Sequence, residues 1–371
     1  MTRVQAMLSR ASNKAGYLAF LLLLSLPLLA WWSAMRFGSW DAWAFLVPVV
    51  FFVVVPLVDA LVGQEHANPR PEDEAALNDS RWYRWLPLSC LPLYIAVLVF
   101  GAWVIATAPF SWLGAFGWVV SMGLLGGVCA INTGHELIHK PEKLEPTVGG
   151  LLLACTGYGS FKVEHIYGHH VDVATPADGS SAPLGDNVYA FIARAFAHNV
   201  PAAYRLEREA YARRGKRRTP WSSEINRLFA FTALLAVVCA AVGGWLGLVY
   251  FIGQCVVAIA LLEVTNFLEH YGLERRRLPD GRWEKVDPTH SWNSSFLVTN
   301  RFLFQLQRHS DHHAHARRRY QLLRHLEESP QLPASYPTMV LLTLVPRAWR
   351  RVMDPRVARW ERGRQPHPAA N

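Results

Sequence analysis

Cysteine is scarce in this sequence and never paired in a CxxC: Cys90, Cys129, Cys155, Cys239 and Cys255 sit singly in or beside apolar blocks. That excludes a built-in thiolate-ligated iron site and leaves the five as small buried hydrophobes. Charge is scarce as well, at 18% of 371 residues, and it falls between the apolar blocks. Internal repeats and low-complexity tracts are missing, apart from a tail after Arg362 that is expected to fray. No small-residue cleavage site closes the first apolar block, although Arg3, Arg10 and Lys14 precede it, so it reads as a retained anchor rather than a secretory signal. The net charge of +9 does not point to nucleic acid, because the basic residues flank hydrophobic spans instead of forming one soluble basic domain. An anionic membrane face or an acidic protein partner fits that balance better.

Apolar residues, in contrast, make up 51% of the chain. A helix needs about 20 of them in a row to cross the hydrocarbon core. Spans are expected at 16–34, 42–63, 86–108 and 112–131. The block 228–267 is too long for one crossing, and Gly243–Gly244 near its middle predicts a tight turn between spans 228–243 and 245–267. The expected fold is therefore an all-α integral membrane protein with six transmembrane helices and a histidine-rich cytoplasmic helical cap. With the N-terminus in the cytoplasm, 36 of the 37 Lys and Arg residues lie inside and only Arg36 lies outside, as the positive-inside rule requires. One membrane domain is expected, with cytoplasmic segments 132–227 and 268–355 and a tail 356–371.

Fifteen histidines are present, and nine fall in a pattern. His135 and His139 are four apart, which puts both rings on one helix face. His165 and His169 repeat that spacing, with His170 adjacent. His309, His312 and His313 stand at i, i+3 and i+4, and His270 ends the last span. His135-Glu136 with His139 is an HExxH, which alone suggests a zinc protease. Nine imidazoles exceed what one zinc uses, whereas two metal ions with open positions use the whole set. Imidazole suits several metals, so spacing does not name the ion. Metal-bound imidazoles donate their other N–H to an oxygen, and Glu136, Glu164, Asp172, Glu263, Asn266, Glu269 and Asp311 are candidates for that task. Of the remaining histidines, His290 and His315 are near enough in sequence to support ligands. His66, His198, His325 and His367 suit surface roles.

The motifs NTGHELIHK (Asn132–Lys140), EHIYGHHVDVATP (Glu164–Pro176), NFLEHYGL (Asn266–Leu273) and LQRHSDHHAHARRRYQLLRH (Leu306–His325) resemble the alkane 1-monooxygenases, a branch of the membrane desaturase and hydroxylase family. The resemblance runs from the second span to about Pro355. It implies two non-haem iron ions held by His135, His139, His165, His169, His170, His270, His309, His312 and His313. It further implies hydroxylation of the terminal carbon of medium- or long-chain n-alkanes with O2, in the bacterial inner membrane with the site on the cytoplasmic side. Two electrons would come from rubredoxin, served by its reductase. Without CxxC pairs in this chain, that donor is expected to be a separate protein. An apolar channel should present the alkane end-first, with Phe51 and Phe52 as candidates for setting chain length. Arg317, Arg318 and Arg319 are candidates for docking the acidic donor. A fatty-acyl desaturase or hydroxylase, and an intramembrane zinc protease, are the alternative readings.

Overall fold

The computed structural model describes residues 14–364, which are helical apart from loops and three isolated bridges, with no strand among them. The apolar blocks form α1 (Lys14–Phe37), the shorter α2 (Leu46–Val62), α3 (Arg81–Thr107) and α4 (Trp112–Ile138). Two amphipathic or short helices follow, α5 (Leu144–Cys155) and α6 (Val188–Arg213). The longest helix, α7 (Glu224–His270), completes the bundle. Of these, α1, α3, α4 and α7 are long and apolar enough to cross a membrane. Leu22, Leu57, Leu61, Val237, Trp245 and Val256 are all more than half exposed on its outer faces. A surface of that kind belongs in hydrocarbon and not in water.

Helix ends follow the local chemistry. Gly38 and Gly63, both at positive φ, stop α1 and α2. Ser111 caps α4 by accepting from the Leu113 and Gly114 N–H groups, which otherwise lack partners in the first turn. The expected turn inside 228–267 is present: Gly244 takes φ 61° and ψ −150° and breaks α7 into two arms. Only glycine adopts that conformation freely. Gly243 beside it packs so tightly that a Cβ would lie 2.4 Å from the Ala102 carbonyl oxygen of α3.

Three features build the histidine-bearing end. The last turns of α4 widen into i→i+5 hydrogen bonding at Gly126–Ile131 before the helix regains α geometry over Asn132–Ile138. The short apolar stretch after it is α5, which packs backbone to backbone on α4. A Cβ on Gly149 would come within 2.8 Å of the Gly134 carbonyl oxygen, and that close fit fixes the helix turn carrying His135. Asp59, buried at the end of α2, accepts from the Val298 and Thr299 N–H groups at 3.1 and 3.2 Å and from the Thr299 hydroxyl. It thereby anchors the chain that leads into α8 (His309–Ala314). Helices α9 (Tyr336–Thr343) and α10 (Pro346–Gly363) close the same end. The segment expected as a tail is thus helical as far as Gly363. His367, Arg3 and Arg10 lie outside the described residues.

Candidate metal centre

All nine patterned histidines converge at that end of the bundle, and they do so in two groups. The rings of His135, His139, His165, His170 and His312 form one, and those of His169, His270, His309 and His313 the other; within each, one nitrogen from every ring lies within 4.8 Å of the rest. The groups abut, with the His170 and His313 ring centroids 4.4 Å apart. Helix α8 serves both, because His309 and His313 are one turn apart on one face while His312 points to the other side.

The second histidine motif departs from the expected i, i+4 pairing. Its backbone is a widened turn over His165–His169, so rings five apart meet: His165 Nε2 and His170 Nε2 are 3.1 Å from each other. His169 turns to the other group, where its Nε2 is 3.3 Å from that of His313. Widened turns of this kind recur at functional sites because they redirect side chains without ending the helix.

The donor atoms fit metal ions. The Nε2 atoms of His135, His139, His270 and His312 are buried with no hydrogen-bond partner. An unsatisfied buried polar group costs about 1–3 kcal/mol, a cost that cations bound in the two groups would offset. Burial, together with the neighbouring imidazoles, holds His139, His165, His170, His309, His312 and His313 below the usual imidazole range. Burial therefore favours the neutral form of these six rings, the form that ligates metal.

The groups behind the rings differ from those expected. His169 Nδ1 donates to Asp178 Oδ2 at 2.9 Å. Burial raises the Asp178 carboxyl, but His169, the Ser181 hydroxyl and the Ser180 N–H bring it below the usual carboxylate range. Asp178 stays charged and fixes the His169 tautomer. It was missed in the sequence because it lies nine residues from its ring, in a loop. His270 Nδ1 is held by the His290 carbonyl at 3.3 Å, and the His290 ring itself is engaged by Glu284 at 3.0 Å. Glu269 alone among the seven candidates touches a ligand ring, but on the side facing the other imidazoles and not behind it: its Oε2 is 3.3 Å from His309 Nε2, which itself lies 2.9 Å from His313 Nε2, and its Oε1 accepts from the Tyr336 hydroxyl at 2.9 Å.

The other six candidates face elsewhere. Glu136 pairs with Lys140 at 2.8 Å and accepts from the Tyr320 N–H, an arrangement that removes it from service as a protease base. Asp311 binds Arg318 and His315. Glu263 accepts from Tyr158 and Asn266, which accounts for both of those groups. Glu164 holds a buried oxygen without a partner, and the half-buried Asp172 makes no hydrogen bond to an imidazole through its carboxylate.

An apolar cavity ends at the metal centre. His135, His165, His309 and Glu269 form its polar end, and Phe51, Val128, Leu261, Leu303 and Val340 are among its walls. Phe52 does not line it; that ring packs edge-on against Phe51 at 5.1 Å. The members of the expected docking triad differ in their surroundings. Arg318 is committed to Asp311, and Arg319 is buried against Glu145 at 2.6 Å. Arg317 is the exposed member.

Residues 110–343 match the fatty acid desaturase family model. The chain is 46% identical over 95% of its length to alkane 1-monooxygenase 2 of Pseudomonas aeruginosa, covering 94% of that protein. It is 45% identical over 95% of its length to alkane 1-monooxygenase 2 of Alcanivorax borkumensis, covering 92% of it. A more distant relative, the xylene/toluene monooxygenase hydroxylase component XylM of Pseudomonas putida, is 28% identical over 76% of this chain and 75% of its own.

Proposed function

This chain belongs to the alkane 1-monooxygenases, within the fatty acid desaturase family, and from that premise we propose that it hydroxylates the terminal carbon of medium- and long-chain n-alkanes. It is a monooxygenase of the oxidoreductase class. The balance is RCH3 + O2 + 2e⁻ + 2H⁺ → RCH2OH + H2O. The observation that carries the reading is an apolar cavity terminating on two abutting groups of imidazoles.

Two non-haem irons are assigned, one to the five-histidine group and one to the four-histidine group. Bound there, iron supplies the redox chemistry that activates dioxygen toward a strong C–H bond. The protein does the rest. An n-alkane has no polar handle, so it is selected by shape, and it concentrates in lipid by about 0.8 kcal/mol per CH2. Phe51 and its neighbours admit the chain end-first, which holds the methyl carbon closer to the metals than any internal carbon. The same walls exclude water. Asp178 and the His290 carbonyl fix the orientations of His169 and His270.

In this reading the two arms of α7, with α1 to α4, give six crossings in the inner membrane. The metal centre faces the cytoplasm, the side on which 36 of the 37 basic residues of the sequence fall. The chain acts as a single membrane domain. A separate rubredoxin delivers electrons, docking on exposed cations such as Arg317, Arg205 and Arg208. Rubredoxin-driven turnover should then fall severalfold with rising salt and with Arg317→Glu. Arg319→Glu should instead lower the thermal unfolding midpoint, because it opposes the buried Glu145. Salt-independent turnover would count against this surface.

Product analysis tests the main reading. Detergent-purified enzyme with reduced rubredoxin and a C8–C16 alkane mixture should yield primary alcohols; alkenes from an acyl substrate would favour desaturation instead. Phe51→Ala should extend the product range to longer alkanes, while Phe52→Ala should leave the range unchanged, since only Phe51 lines the cavity.

A further inference from the structure

A second cavity, of about 390 Å³, lies where α1 and α3 begin. Its lining includes Lys14, Tyr17, Tyr83, Arg301, Gln305 and Arg308. Among the described residues four cations and two carboxylates border it, and both carboxylates are engaged: Glu65 with Arg301 at 2.7 Å and Asp73 with Arg70 at 2.8 Å. Among the described residues, Lys14 and Arg308 have no carboxylate within 4.0 Å. Arg308 is only 2% exposed. It donates to the carbonyls of Leu323, Glu65 and Ala67, and its Nε has no partner. Burying a cation without a counter-charge costs several kcal/mol.

From this geometry we infer that the cavity binds the phosphate of an anionic phospholipid. The charge excess calls for an anion, guanidinium groups are suited to phosphate oxygens, and the depth sets the source. Two candidate membrane helices start at its rim, which is headgroup level, where basic pockets between helices take acidic lipid headgroups. The site also touches the metal centre through the chain. Phe304 and Gln305 both hold left-handed backbone, with φ 51° and 60°, which is strained for non-glycine residues. Gln305 is held there by donating to the Tyr17 hydroxyl at 2.7 Å, and Arg308 immediately precedes His309. A bound phosphate therefore clamps the segment that delivers His309. The inference requires a membrane protein but does not depend on which reaction the metals perform.

Metal-loaded protein in detergent, stripped of lipid, tests it by native mass spectrometry and thermal unfolding. Phosphatidylglycerol should bind at least tenfold more tightly than phosphatidylcholine and raise the unfolding midpoint, and inorganic phosphate should compete with it. Lys14→Glu and Arg301→Gln should each reduce the preference severalfold. Lys14 is exposed, so its variant carries the test if Arg301→Gln fails to fold. Equal binding of the two lipids, or a preference unchanged in the variants, overturns the inference. Stabilisation by inorganic phosphate without binding of phosphatidylglycerol also overturns the lipid assignment and makes a soluble phosphate the ligand.

Discussion

His312→Ala should leave the protein with about one iron per chain and reduce turnover on the order of 10³-fold or more, since a catalytic metal is worth several kcal/mol of barrier. His312 belongs to the five-ring group, with its Nε2 buried and otherwise unpartnered. His313, next to it in sequence, belongs to the four-ring group. His313→Ala should therefore also remove about one iron, but from the other position. The pair of variants is informative because adjacent residues on one helix are assigned to different ions. Metal analysis of each, with circular dichroism to check that the bundle survives, measures the effect. If either variant keeps two tightly held irons, or if His312→Ala loses both while His313→Ala loses neither, the five-and-four division is wrong.

Asp178→Asn should lower turnover or iron affinity by about 10–100-fold, the range typical of groups that orient a metal-bound imidazole. The amide keeps the size of the side chain and its contacts with the Ser180 N–H and the Ser181 hydroxyl. It removes the charge that His169 Nδ1 donates to, and with it the preference for the tautomer whose Nε2 faces the metal centre. Asp172→Asn is the control. That carboxylate lies closer in sequence to the ligands yet bonds to none of their rings, so its substitution should change turnover less than threefold. Equal losses in the two variants would mean that sequence proximity, and not the hydrogen bond, matters.

The contrast between Asp178 and Asp172 illustrates what was legible. The apolar blocks, the Gly243–Gly244 break and the nine-histidine set could be read directly, because hydropathy and residue type dictate them. The supporting groups could not. A residue beside a ligand on a helix is rotated about 100° from it, so Glu136 and Asp311 point away from the neighbouring rings and into ion pairs with Lys140 and Arg318. Ring partners come from other segments: the loop of Asp178 and the carbonyl of His290. The grouping of His165 with His170 was hidden for a different reason. It depends on a widened turn, whereas periodicity arguments assume 3.6 residues per turn. Arg318 and Arg319 resembled a surface patch because sequence carries no sign of the distant Glu145 or of the fold-back onto Asp311.

The question on which the rest depends is whether the two groups of rings hold two irons. Anomalous diffraction at the iron edge from crystals of the purified enzyme answers it directly. The expected map has two peaks per chain, one among His135, His139, His165, His170 and His312 and one among His169, His270, His309 and His313. A single peak, or a zinc signal confined to His135 and His139, would contradict the account.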